Sequence, residues 1–272
     1  MLYNLSKLSS SIRSQIENDE TLRLFFSNKP STMLTVSADA KTVKGEKKGY
    51  LTGILYLVSA DLSGENICPL AKIAACDLPC LVSAGRGRMS NVFFARLRKT
   101  LFFLQYTNEA CDMIKQDIKR IEKKAKKMQY NIAIRLNGTS DIRFERYDII
   151  QSFPHIQFYD YTKIANRRNL PSNYDLTFSY SGVTDFLPHV QKALENGLRI
   201  AAVFRNRETV ETMLEKGIKF LGLDIVDGDE TDLRFLEPKN VISALYAKGN
   251  AKRDGTGFVV DMPDAMLRHL AA

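Results

Sequence analysis

The second half of this chain has a rhythm that most constrains its fold. Short apolar runs alternate with amphipathic stretches, and turn residues separate them. Residues 130–138 (YNIAIRLNG), 156–163 (IQFYDYTK) and 174–181 (YDLTFSYS) read as strands. Residues 183–197 then read as a helix ended by Gly197, 199–206 as a strand, and 207–217 as a helix ended by Gly217. Residues 218–229 and 241–249 complete the series as strands, and 49–60 (GYLTGILYLVSA) is a further buried strand upstream. Strands alternating with helices over such a length imply βα units on a mainly parallel sheet. With six to eight strands and no G-x-G-x-x-G or G-x-x-x-x-G-K-[ST] motif, the expected architecture is α/β: a (β/α) barrel of TIM type or a partial barrel, with an N-terminal helical arm. The expected boundaries are 1–48 for the helix and arm and 49–272 for the barrel-like domain, whose cysteine loop is 64–90.

The longest expected helix runs over 90–128, with Ser90 as its N-cap. Leu97, Leu101, Leu104, Cys111, Ile114, Ile118, Ile121, Ala125 and Met128 form one apolar stripe along it, with a skipped step at Asn108. Cys111 is thereby assigned to the core. Lys115, Lys119, Arg120, Lys123, Lys124, Lys126 and Lys127 fill the outer face, which reads first as a solvated surface and second as a nucleic-acid contact. The opening stretch MLYNLSKLSSSIRSQI has the spacing of an amphipathic helix that docks on the body, although it also resembles a transit peptide.

No apolar run approaches the roughly 20 residues that a membrane helix requires. The expected location is therefore the cytoplasm, with no membrane partner. Thiols stay reduced there, so clustered cysteines point to metal rather than to disulfides. The net charge of +8 favours an anionic partner, a nucleotide or nucleic acid.

Three of the four cysteines share one loop, Cys68, Cys76 and Cys80, in the spacing C-x7-C-x3-C. The loop follows the first long strand, and Pro69, Pro79 and the glycines after it suit a segment shaped around a ligand. His155, His189 and His269 are not paired with cysteine or acid at metal-ligand spacing, so the three thiols stand as the metal ligands. Iron–sulfur clusters normally take four thiolates, and three would leave one iron open to substrate. Iron as a 4Fe–4S cluster is the first expectation and zinc the alternative.

Ligands of parallel α/β folds bind at the carboxyl ends of the strands. Those ends carry Asn137, Gly138, Thr139, Ser140 and Asp141, then Lys163, then Ser179 and Ser181, then Arg205, then Asp227 and Asp229. Asn137, Gly138, Thr139, Ser140, Lys163, Ser179 and Ser181 are the expected cofactor-binding residues, and Asp141, Arg205, Asp227 and Asp229 the expected catalytic ones.

The stretches GYLTGILYLVSADLSGENICPLAKIAACDLPCLVSAGRGRM, RLNGTSDI, YTK, NYDLTFSYSG and DGDETDLRF together resemble the bacteriophage domain family called Gene product 88, from about Lys41 to Val260. That resemblance implies a phage context and supplies no mechanism. The order strand, three-cysteine loop, helix and βα repeats also resembles radical S-adenosylmethionine enzymes, with a wider cysteine spacing. It implies a cluster on Cys68, Cys76 and Cys80, S-adenosylmethionine held by 137–141 with Ser179, Ser181 and Arg205 toward ribose or carboxylate, and an external electron donor. Guanine-exchanging transglycosylases, which are zinc barrels with aspartate catalysts, offer a second likeness, with Asp141, Asp227 or Asp229 as the aspartate. The expected function is a phage-encoded iron–sulfur enzyme acting on a nucleotide or nucleic acid. A zinc-stabilised base-exchange enzyme and a non-enzymatic DNA-binding protein are the alternatives.

Overall fold

A computed structural model describes residues 1–37, 40–80 and 85–261. Part of the expected cysteine loop (81–84) and His269 lie outside the described residues. The strands are β1 (Leu34–Val36), β2 (Tyr50–Leu55), β3 (Asn131–Arg135), β4 (Gln157–Thr162), β5 (Tyr174–Ser179), β6 (Arg199–Phe204), β7 (Asp224–Asp227) and β8 (Val241–Tyr246). They form one sheet in the order β1-β2-β3-β4-β5-β6-β8-β7. Every pairing is parallel except that of β1 with β2.

The expected α/β class with mainly parallel strands holds, but the sheet is open. Its edges are β1 and β7, which do not meet. Closure fails at both ends for a local reason. β1 runs antiparallel on β2, and the chain overshoots to β7 before stepping back to lay β8 beside β6.

The helices are α1 (Ser10–Asn18), α2 (Glu20–Phe25), α3 (Ala40–Glu46), α4 (Ser90–Gln105), α5 (Thr107–Met128), α6 (Leu187–Glu195) and α7 (Arg207–Glu215). The single helix expected over 90–128 is two. Tyr106, at φ −132° and ψ 52°, breaks the hydrogen-bond ladder beside the phase skip at Asn108. Met89 rather than Ser90 occupies the N-cap of α4, and its side chain forms no capping hydrogen bond.

Side chains alternate across the sheet and build two different faces. Leu51, Leu55, Ile134, Phe158 and Leu176 pack on Leu97, Leu101, Ile114, Ile118 and Ile121 of α4 and α5. Phe178, Ile200, Ala202, Phe204, Ile242 and Ala244 pack on Val190 and Ala193 of α6 and on Val210 and Met213 of α7. The opening segment joins this core: Leu5, Leu8, Ile16 and Phe26 are all buried in it. Leu5 and Leu8 precede α1, so the expected helix is shorter than its apolar spacing suggested.

The opposite face is covered by the connection from β7 to β8. Parallel crossovers are right-handed, so a step in the reverse direction along the sheet must return over the other face. Leu233 and Phe235 accordingly pack on Ala133, Tyr159 and Tyr50. Arg135 Nη1 donates to Asp232 at 2.7 Å, Arg234 pairs with Glu237, and Arg199 meets Asp175 at 2.6 Å and the Pro238 carbonyl at 3.1 Å. Asp232 and Arg234 are thus buried ion-pair partners under the sheet.

Candidate functional site

The cysteine loop leaves β2 and crosses the carboxyl ends of β3 to β5. Three bonds hold it there. Asp141 N–H donates to the Ile67 carbonyl at 2.9 Å, the Cys68 thiol to the Thr139 carbonyl at 3.8 Å, and Ser181 Oγ to the Ala74 carbonyl at 2.8 Å. Ile67 and Cys68 pack into the core beneath α4 and α5, while Leu70, Ala74 and Cys76 pack into the core beneath α6 and α7. The loop thus bridges both halves of the molecule at the rim. Ala60 and Ala75, at φ +47° and +49°, occupy left-handed backbone that costs a non-glycine residue about 1–2 kcal/mol.

Cys68, Cys76 and Cys80 are all half-buried, and none of them is in a disulfide. They lie within electrostatic range of one another and of the buried Lys163, and Cys68 and Cys76 also of Asp141. Burial pushes the Cys68 thiol up to about 12, although the Ala60 N–H that it accepts at 3.4 Å works the other way. Burial likewise raises Cys76, to about 11, against the opposing pull of the Lys163 ammonium. Lys163 is held below the usual lysine range by burial, partly offset by Cys76, Asp141, Cys80 and Cys68. Its Nζ donates to the Ser179 carbonyl at 3.0 Å, to Ser179 Oγ at 3.2 Å and to the Tyr180 carbonyl at 3.4 Å, and it faces the rings of Phe186 and Phe258. Among the described residues no three His, Cys, Asp or Glu side chains stand at coordination spacing. Closing three thiolates on one metal centre would therefore require the loop to contract.

The remaining expected site residues divide into two groups. The first lies with the thiols but is engaged internally. The Asn137 Oδ1 accepts from Ser140 Oγ and Ile142 N–H, both at 2.8 Å, and its amide donates to the Ile142 carbonyl and to Asp160. Thr139 Oγ1 donates to the Leu57 carbonyl. Gly138 is required by packing: a Cβ there would sit 2.7 Å from the Leu55 oxygen and 2.8 Å from Ile54 and Tyr56 side chains. The Asp141 carboxylate accepts from Thr162 Oγ1 and Lys163 N–H at 2.8 Å each, and burial raises its pKa. Together these residues knit the end of β3 to β2 and β4.

The second group lies elsewhere on the rim, after β6 and β7. Arg205 is bound to Asp261 and to the carbonyls of Ala251, Lys252 and Asp254. Asp227 accepts from the Asp229 N–H at 2.7 Å in a tight turn. Asp229 pairs with Lys248, and its carbonyl takes the Lys44 ammonium. The sequence-based site thus separates into a thiol cluster with Asp141 and Lys163 over β2–β5 and a structural ion-pair set over β6–β8.

A second buried network, not expected from sequence, lies between β3, β4 and β5. Asp160 accepts from Asn137 N–H at 2.7 Å and from Tyr174 OH at 2.8 Å, with Arg135 4.0 Å away. Burial pushes its carboxyl up to about 6 despite Arg135. Arg167 joins Glu145, Asp141 and Tyr174. The alternation of β4 offered a faint signal, because an acid in the middle of FYDYT is out of place unless it is paired.

No helix of the described residues is long and apolar enough to cross a membrane. In comparison with known proteins, a family model described as Gene product 88 matches residues 32–262. No curated protein and no solved structure matches the chain.

Proposed function

The chain belongs to the Gene product 88 family, and we propose that this member is a phage iron–sulfur enzyme whose cluster is held by Cys68, Cys76 and Cys80. The observation that supports this most is the gathering of three half-buried thiols within electrostatic range of one another and of the buried Lys163 at the carboxyl ends of the strands. Parallel α/β sheets place their ligands at that end. Thiolates suit iron–sulfur clusters, and N–H donation to a cysteine sulfur, as from Ala60 to Cys68, is one means by which proteins tune them.

Three thiolates leave one metal position free, and that vacancy is what favours an enzyme over a structural site. Lys163 near the thiols and Arg167 beside Asp141 supply buried positive charge, which offsets the negative charge that ligation would bring in. The strained backbone at Ala60 and Ala75 fits a loop held for a purpose other than stability. The side chains expected to hold S-adenosylmethionine are engaged in internal hydrogen bonds, so the proposal extends to the cluster and not to that cofactor. A nucleotide or nucleic acid remains the favoured substrate class on the ground of the chain's positive charge.

Metal analysis of protein purified without oxygen tests the reading. Iron with matching sulfide supports it. One zinc per chain and no iron would transfer the site to the zinc alternative.

A further inference from the structure

The lysine run of α5 is not absorbed by the thiol site, and its geometry carries a separate reading. Between Lys115 and Lys127 the sequence has a surplus of five positive charges, against +8 for the whole chain. The run contains two acids, and the fold consumes both. Asp117 is turned inward, where its carboxylate accepts from the Met33 and Leu34 N–H groups and pairs with Arg120. Glu122 pairs with His155 at 2.7 Å. Lys119, Lys123, Lys124, Lys126 and Lys127 are left exposed, and among the described residues none of them has a carboxylate within ion-pairing distance.

These lysines lie opposite Ile114, Ile118, Ile121 and Ala125, which bury the other side of the helix. At 1.5 Å per residue they form a stripe about 12 Å long from Lys119 to Lys127. The Asn131 N–H donates to the Gly49 carbonyl at 2.9 Å, which seats the turn carrying Lys47 at the same end of the sheet, while Lys48 of that turn pairs with Glu230. Compensation of the helix dipole does not account for the stripe, because that requires only about half a charge within the last turn.

We propose that this face of α5 docks on the phosphate backbone of duplex DNA. The duplex carries one negative charge per roughly 1.7 Å of axis, so the stripe spans several phosphates. Charge complementarity calls for a polyanion, and the burial of the other side of α5 selects nucleic acid over an anionic membrane. A helix that lies in a bilayer surface needs a free apolar side to insert, and that side of α5 is buried in the core. α5 runs back from the cysteine rim toward the start of β3, so its lysine-rich end lies at the opposite end of the sheet from the thiols. Docking is therefore independent of the cluster.

Fluorescence anisotropy of a short labelled DNA duplex, titrated with the full chain at several salt concentrations, tests the proposal. Contacts from five lysines predict a log–log salt slope of about −4.5, which is a loss of about 500-fold over a fourfold rise in salt. K119E/K123E/K127E should weaken binding by about 100-fold or more while circular dichroism stays unchanged. C68S/C76S/C80S should leave binding as it is. Absence of binding at low salt, affinity that survives the triple reversal, or equal salt-dependent binding to phosphatidylserine vesicles would overturn it.

Discussion

Ser181 Oγ donates to the carbonyl of Ala74 at 2.8 Å, and through that bond the end of β5 holds the cysteine loop onto the rim. Ser181 is fully buried and Ala74 with it, so water cannot replace the bond. Ser181→Ala should cost about 1–3 kcal/mol, the penalty of an unpaired buried carbonyl. Thermal denaturation reads the loss. Hydrogen exchange should show faster opening over residues 70–76 than over β5 itself.

Gly138→Ala should destabilise by about 1–3 kcal/mol, because its Cβ would collide with backbone and with two side chains that cannot move away together. Gly255→Ala is the control, since a Cβ there meets nothing within 4 Å. Urea denaturation of the pair should show a large shift in the first variant and almost none in the second.

Asp232→Ala removes the carboxylate that faces Arg135 beneath the sheet and leaves a buried guanidinium short of a partner. A loss of about 3–5 kcal/mol is expected. Replacing both residues with apolar ones of similar size should recover most of it, and a double variant as unstable as the single one would contradict the assignment.

Asp160 makes stability depend on pH. Its folded carboxyl is raised to about 6 from an ordinary value of 3.8, so between those values the folded protein binds more protons than the unfolded chain. Stability from this group is therefore greatest below about pH 4 and falls as pH rises through about 6, by roughly 3 kcal/mol. Asp160→Asn should flatten that part of the profile relative to wild type. Denaturation midpoints measured across this window decide it.

The strands and helices from Tyr50 onward were legible because their periodicities are clean, and the break at Tyr106 coincided with the one lapse in the helical stripe. β1 was not legible, because its anchor is Asp117, an acid hidden in a lysine run whose carboxylate bonds the amides of Met33 and Leu34 at the start of the strand. The buried role of Asp232 and Arg234 was also out of reach. It follows from the return of β7 to β8 over the opposite face, and strand order leaves no mark on local sequence. For the site, the grouping of the three cysteines was readable from spacing alone. The internal engagement of Asn137, Thr139 and Ser181 was not, because a polar residue at a strand end looks the same whether it bonds a ligand or a neighbouring loop.

In the proposed enzyme, cluster ligation falls to Cys68, Cys76 and Cys80. Anaerobic reconstitution of the full chain with iron and sulfide, followed by iron and sulfide counting and visible absorption, tests it most directly. About four irons and four sulfides per chain are expected, with a broad brown absorption and loss of both in C68S/C76S/C80S with the fold intact. A colourless protein without iron, or iron uptake equal in the triple variant, would contradict it.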